Sequence, residues 1–256
     1  MKVVILAGGF GTRISEESYL KPKPMIEIGG RPILWHIMKY YSGFGFNEFI
    51  VCLGYKSNII KDYFANYFLY QADVTFHLGE NSRIVHGTKA EKWVVTLVET
   101  GLNTMTGGRI KRIANHVGTE EFMLTYGDGV CNVDINALLQ FHRHHGKLAT
   151  LTAVKPEGRF GVLDISGDSI RDFREKRVMD MGWINGGFMV LSPKVIEYID
   201  GDATVFEQEP LGTLAQEGQL MAYKHKGFWQ CMDTQRDKVK LEELWQKGRA
   251  AWKNWE

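Results

Sequence analysis

At 256 residues, with 44% hydrophobic residues and a formal net charge of +1, the chain can bury a sizeable core and is too apolar to be disordered. Its balanced charge excludes a general attraction for nucleic acid or an anionic membrane, so any anion binding has to be local. No apolar stretch reaches the length of a membrane span, the first strand begins at Lys2 with no room for a signal peptide, and Cys52, Cys131 and Cys231, scattered and without a CxxC, suit free thiols in a reducing cytoplasm.

Residues 1–7 (MKVVILA) are apolar and β-branched, the pattern of a strand buried on both faces. They run into Gly8, Gly9, Phe10, Gly11, Thr12 and Arg13, followed by Lys21-Pro22-Lys23-Pro24-Met25 and Gly29-Gly30-Arg31-Pro32. Glycines let a backbone turn sharply and approach a ligand that a Cβ would keep away. Backbone N–H groups in such a loop, with Arg13 behind them, make a cradle for phosphate oxygens. The prolines flanking Lys23 stiffen its segment and restrict where its ammonium points. A P-loop is excluded because no Lys-Ser or Lys-Thr follows these glycines, and the dinucleotide fingerprint finds Ile14 where its third glycine belongs.

Helical spacing marks 32–42 and 58–70, and strands are expected at 47–53 and 74–78. This alternation predicts a mostly parallel sheet covered by helices, with ligands beyond the carboxyl ends of its strands. The stretch 80–92 carries Arg83, His86, Lys89 and Lys92 without a clear period, and reads as a loop or short arm available for subunit contacts. A strand at 93–98 and a basic helix over 109–117 follow. The strand at 121–126 ends in Gly127-Asp128-Gly129. Asp134 is placed to cap a helix over 134–145. His142, His144 and His145 on that helix have no carboxylate or cysteine completing a ligand set, and are expected on a solvated face.

Beyond it, glycine-punctuated strands at 148–154, 161–165, 170–174 and 183–191 predict antiparallel pairing. Helices at 193–199 and 206–217, a strand at 220–224 and an amphipathic helix over 234–247 complete the chain. Without linker or repeat, residues 1–256 read as a single domain. Trp245, Trp252 and Trp255 fit a docked C-terminus, a subunit contact or core packing.

Asp128 stands between two glycines at the end of a buried strand, where a carboxylate has little packing use; forming the turn is its other reading. Asp233, in GFWQCMDT, reads either as its partner or as the N-cap of the last helix. Two carboxylates converging from distant strand ends suit one hard cation such as Mg²⁺ with phosphate oxygens.

The run LAGGFGTRI, KPKPM and GGRPI resembles the signature of the sugar nucleotidyltransferases: LAGGxGTR, then PKPM, then a proline opening a helix. The resemblance implies an α/β fold, a Rossmann-like, mostly parallel mixed sheet flanked by helices, with an antiparallel β-rich second half. The family's aspartate after the central strand, second aspartate, E-K pair and N-x-G segment are matched by Asp128, Asp233, Glu175-Lys176 and Asn185-Gly186-Gly187. A proline commonly follows the E-K pair; here Arg177 stands there. TMTGGR (104–109), TYGDGV, NGGF, EQEPL and GFWQCMDTQRDK are similar to the cytidylyltransferase branch acting on glucose 1-phosphate.

That likeness implies attack by the sugar phosphate on the α-phosphorus of CTP, giving CDP-glucose and pyrophosphate, within bacterial deoxysugar and O-antigen synthesis. It assigns the nucleotide to Leu6, Ala7, Gly8, Gly9, Gly11, Thr12, Arg13, Lys23, Thr104, Arg109 and Gly127. Arg13 and Lys23 are the catalytic cations on the triphosphate. The sugar phosphate goes to Glu175, Lys176, Asn185 and Gly186, and Mg²⁺ to Asp128 and Asp233. The guanidinium of Arg109 carries only donors, which suit N3 and O2 of cytosine; the other reading is that Arg109 opens an exposed basic helix. Expected partners are CTP and glucose 1-phosphate and a second copy of the chain, with neither nucleic acid nor membrane, in the cytoplasm. The same chemistry with UTP or dTTP is the near rival. A non-catalytic sugar-nucleotide sensor and an NAD-dependent oxidoreductase are more distant ones.

Overall fold

In the computed structural model the described residues are 1–155, 161–166, 169–175 and 182–255, without the side chains of 13, 15, 16, 161–166 and 169–175. The main sheet comprises β1 (Val3–Leu6), β2 (Glu48–Leu53), β3 (Val94–Glu99), β4 (Phe122–Tyr126), β5 (Ala149–Val154), β6 (Ile184–Asn185), β7 (Met189–Leu191) and β8 (Leu220–His225). Its order is β8-β5-β7-β4-β1-β2-β3, with β6 beside β7 on the same edge of β5. Strands β4, β1, β2 and β3 are mutually parallel, and β7 is antiparallel to both neighbours. The expected mixed sheet is present. Its second half is not purely antiparallel, because β8 pairs parallel with β5; such a pair needs a long connection, and β6, β7 and the helix Glu209–Gln216 lie within it.

Strand β1 explains its own composition. Val3, Val4 and Ile5 are fully buried: Val3 and Ile5 face the helix Ile33–Ser42 through Ile33, Ile37 and Tyr41. Val4 and Leu6 face Ile110, Ile113 and Phe206 on the other side. A strand sandwiched between helical layers has no polar face to alternate with.

Several expectations change. Val74–His77 lies outside the main sheet, paired with Ser82–Val85 in a hairpin that takes in part of the expected arm. The expected strand 183–191 breaks between β6 and β7, where the chain passes through left-handed Gly187 (φ 75) and Phe188 (φ 46). The expected helix 109–117 starts earlier, as α-helix Thr106–Arg112, and resumes as Ala114–Val117. Its start is set by tertiary contacts, with Met105 N donating to Asp202 O (2.8 Å) and Gly107 N to Thr204 O (2.9 Å). Residues 193–199 contain a 3-10 helix, Pro193–Tyr198.

His142 is buried rather than on a solvated face, with Nδ1 at 2.8 Å from Thr150 Oγ1. His145 Nε2 meets the same hydroxyl at 2.7 Å. The C-terminal tryptophans pack inward: Trp252 stacks on Phe228 (5.6 Å) and Trp245 (6.4 Å), and its Nε1 donates to His36 Nδ1 (3.3 Å).

Candidate active site

Two short strands do the assembling. Gly129–Cys131 pairs antiparallel with Trp229–Cys231, with Gly129 opposite Cys231, and Met232 N donates to Asp128 O at 2.8 Å. Asp128 and Asp233, just outside this ribbon, are thereby brought together. Ligand atoms of Asp128, Cys231 and Asp233 all lie within 4.8 Å of one another. The helix Gln235–Gln246 is capped by Thr234 in a capping box with Asp237, so Asp233 is not the N-cap.

Lys23 sits in the turn Lys23–Met25 and bridges the pair, its Nζ 2.6 Å from Asp128 Oδ2 and 2.5 Å from Asp233 Oδ1. Burial works to lower the ammonium's pKa, but the two carboxylates outweigh it and hold it above the ordinary lysine value. The same two carboxylates, after burial, push the Cys231 thiol up. The buried ammonium is the positive charge the carboxylates demand. Two carboxylates with room for phosphate or water oxygens suit a hard divalent ion, while the neutral thiol is a poor ligand for one. The two carboxylates fit a divalent metal ion.

A cavity of about 590 Å³ opens at the carboxyl ends of β1 and β4. Leu6, Ala7, Gly8, Gly9, Gly11 and Thr12 line it on one side, Thr104 and Arg109 on another, and Lys23, Gly127 and Asp128 at one end. Gly127 N donates to Leu6 O at 2.9 Å, which ties the two strand ends together. Arg13 lies in the 3-10 turn Thr12–Ile14; its side chain is outside the described residues.

Arg109 is buried, not the start of an exposed helix. Its Nη2 donates to Gly8 O (3.0 Å) and Leu102 O (3.4 Å). Its Nη1 donates to Leu53 O (3.0 Å), Thr100 Oγ1 (2.8 Å) and Gly101 O (2.8 Å). The guanidinium therefore fastens the glycine loop to the ends of β2 and β3. A Cβ at position 8 would lie 2.0 Å from Nη1, so any larger residue there would have to displace this guanidinium.

A second cavity, about 370 Å³, joins the first at Thr106, Tyr126 and Asp128. Asn185 and Gly186 line it, together with Asp233, Glu207 and Trp229. Trp229 Nε1 donates to Gly186 O (2.8 Å), and Asn185 Nδ2 to the Tyr126 hydroxyl (3.1 Å). Tyr126 OH and Thr106 Oγ1 donate, each at 2.6 Å, to the two oxygens of Glu207. Burial and the Glu207 charge push the Tyr126 phenol up. Lys176 and Arg177, and the side chain of Glu175, lie outside the described residues.

Sequence reasoning did not assign Thr106, Tyr126, Glu207, Trp229 or Cys231. Each stands in a segment already singled out, TMTGGR, TYGDGV, EQEPL or GFWQCMDT. Nothing local says which residue in each faces inward.

A glycine loop at the end of a central parallel strand, beside paired carboxylates and a second polar cavity, defines an enzyme that joins a nucleotide to another small molecule. The chain belongs to the nucleotidyl transferase family, whose pattern matches residues 2–243. It is similar to the glucose-1-phosphate cytidylyltransferase of Salmonella typhi, 62% identical over 257 residues and covering 100% of both chains. The probable glucose-1-phosphate cytidylyltransferase of Bacillus subtilis is 44% identical, again over 100% of each. Among solved structures, HddC from Yersinia pseudotuberculosis superposes with a TM-score of 0.70 at 27% identity, covering 95% of this chain and 99% of that one. Among the described residues no helix is long and apolar enough to cross a membrane.

Proposed function

We propose that this nucleotidyltransferase transfers the cytidylyl group of CTP to glucose 1-phosphate, forming CDP-glucose and pyrophosphate. The observation that carries the reading is the meeting of the two cavities at Asp128, with relatives of this activity 62% identical end to end. CTP occupies the glycine-loop cavity and the sugar phosphate the cavity of Asn185 and Gly186. The α-phosphorus then lies beside the carboxylates.

The attacking phosphate oxygen is already anionic, so no general base is required. The barrier is the approach of two anions, which positioning and positive charge lower. Asp128 and Asp233 would hold Mg²⁺, which supplies neutralisation of the phosphate charge when bound. Backbone N–H groups of the glycine loop hold phosphate oxygens, and Arg13 and Lys23 supply fixed positive charge toward the departing pyrophosphate. Glu175 and Lys176 are assigned to the sugar phosphate beside Asn185. Arg109 is assigned to N3 and O2 of cytosine, which would take the place of backbone acceptors such as Leu102 O.

Pyrophosphate release from CTP, UTP and dTTP, each with glucose 1-phosphate and Mg²⁺, tests the assignment. Turnover with UTP or dTTP as fast as with CTP overturns the choice of base. Three free cysteines and a CTP substrate suit the cytoplasm.

Self-association is assigned to the hairpin of Val74–His77 and Ser82–Val85, which exposes Phe76 (55%), Leu78 (88%) and Ile84 (51%). A two-stranded hairpin is marginal alone, and a second copy of the chain covers it. Sedimentation of Leu78→Asp against the wild type tests this; identical sedimentation overturns it.

A further inference from the structure

We infer that Glu207 is the residue that reads the hydroxyls of the sugar phosphate, an inference that rests on the nucleotidyl-transfer reading above. Glu207 lines the second cavity beside Asn185 and Trp229, where that cavity meets the first. Its carboxylate can only accept, so every proton in its surroundings is determined without seeing a hydrogen. Tyr126 OH must donate to Oε1 and Thr106 Oγ1 to Oε2, both at 2.6 Å. The Thr106 oxygen in turn accepts from Phe206 N at 2.9 Å. The Tyr126 oxygen, having spent its proton, accepts from Asn185 Nδ2 at 3.1 Å. Asn185 Oδ1 is turned the other way and accepts from Gly187 N at 2.9 Å. The amide of Asn185 therefore presents its remaining N–H as a donor.

A carboxylate offers about four acceptor positions, and Tyr126 and Thr106 occupy one on each oxygen. Among the described residues one position per oxygen is left, in a cavity that Asn185, Asp128 and Asp233 also line. Two adjacent acceptors on one rigid group match the two O–H donors of a vicinal diol. A hexose 1-phosphate supplies such a diol, and Glu207 lines the cavity assigned to the sugar and not the one assigned to the nucleotide. Tyr126 and Thr106 are positioning residues here: each fixes one oxygen of the carboxylate. A pocket built to bond a hydroxyl rejects an analogue lacking it, because the acceptor is then left unpaired.

The test measures kcat and KM of wild type and Glu207→Gln with CTP and glucose 1-phosphate, and with its 2-, 3- and 4-deoxy analogues. Calorimetric binding of glucose 1-phosphate runs in parallel. The wild type is expected to reject two analogues, deoxy at neighbouring carbons, by on the order of 10²-fold in kcat/KM. In Glu207→Gln, whose amide must donate from one side, both penalties fall to about tenfold or less, while KM for CTP moves by less than about threefold. Should that variant lose its cooperative melting transition, Glu207→Asp is read in the same panel. It keeps the charge but withdraws it by one methylene, and the same two penalties shrink.

Deoxy penalties unchanged in the variant, with the wild type turning over glucose 1-phosphate normally, overturn this inference alone. So does an equal rise of both KM values with the penalties intact, the mark of a purely structural carboxylate. A wild type that neither binds nor converts glucose 1-phosphate overturns the inference together with the reading beneath it.

Discussion

Gly129 faces Cys231 across a two-stranded antiparallel ribbon, and that single register places Asp128 and Asp233 on the same ammonium. Slipping the pairing by one residue would turn every side chain of the ribbon to its other face. The carboxylates lie outside the strands themselves, where a turn and a helix start leave their side chains free to converge. Lys23 then closes the cluster at 2.6 Å and 2.5 Å.

Asp128→Asn and Asp233→Asn are each expected to lower kcat by at least roughly 10²-fold while the melting curve stays cooperative. Thr234→Ala separates site from cap at the neighbouring residue. It should cost about 1 kcal/mol of stability with kcat nearly unchanged. Near-normal turnover in Asp233→Asn would remove that carboxylate from the site.

Lys23→Ala leaves the two carboxylates without their buried cation. Thermal unfolding in chelator should shift to lower temperature, because like charges in a half-buried pocket repel. Added Mg²⁺ should raise the melting temperature of the variant more than that of the wild type, since the ion no longer competes with an ammonium. Equal Mg²⁺ shifts in both proteins would separate the lysine from the cation site.

Arg109→Ala removes donors from five acceptors, among them Gly8 O and Leu53 O. Loss of a buried guanidinium that holds the glycine loop should destabilise the fold by a few kcal/mol. The assignment of Arg109 to cytosine predicts that the variant also narrows the ratio of kcat/KM for CTP over UTP. KM for glucose 1-phosphate should change little. A destabilised variant that keeps its full preference for CTP would leave Arg109 as a clamp alone.

His36 gives a pH signature. It is fully buried, its Nε2 2.8 Å from Ile28 O, and burial lowers its pKa to about 4 from 6.5. The unfolded chain therefore takes up a proton at a pH where the folded one does not. This contribution to stability is whole above about pH 6.5, declines as pH falls toward 4, and is lost below it. The difference is roughly 3 kcal/mol. Denaturant unfolding of wild type and His36→Gln from pH 7 to 4 should show the wild type losing that much more. Parallel curves would assign the acid sensitivity to other groups.

The local chemistry was legible in the residues themselves. A run such as VVILA, short and β-branched, suits the doubly buried strand that it forms. The Asp134 cap follows from local hydrogen bonding, which depends on a few neighbours only.

What the sequence left open depends on partners distant along the chain. By sequence Arg109 either faces the nucleotide or opens an exposed helix, because nothing local shows that it turns inward to the carbonyls of Gly8 and Leu53. The cap reading of Asp233 ends only when Thr234 and Asp237 form the capping box and the ribbon with Gly129–Cys131 carries Asp233 to Asp128. Glu207 has no local signature, and gains one only when Thr106 and Tyr126 arrive from 101 and 81 residues away. Short-range propensity is written in neighbouring residues and survives in isolation. The aim of a buried polar side chain is set by whichever distant groups satisfy it, and only the packed structure brings those groups within reach.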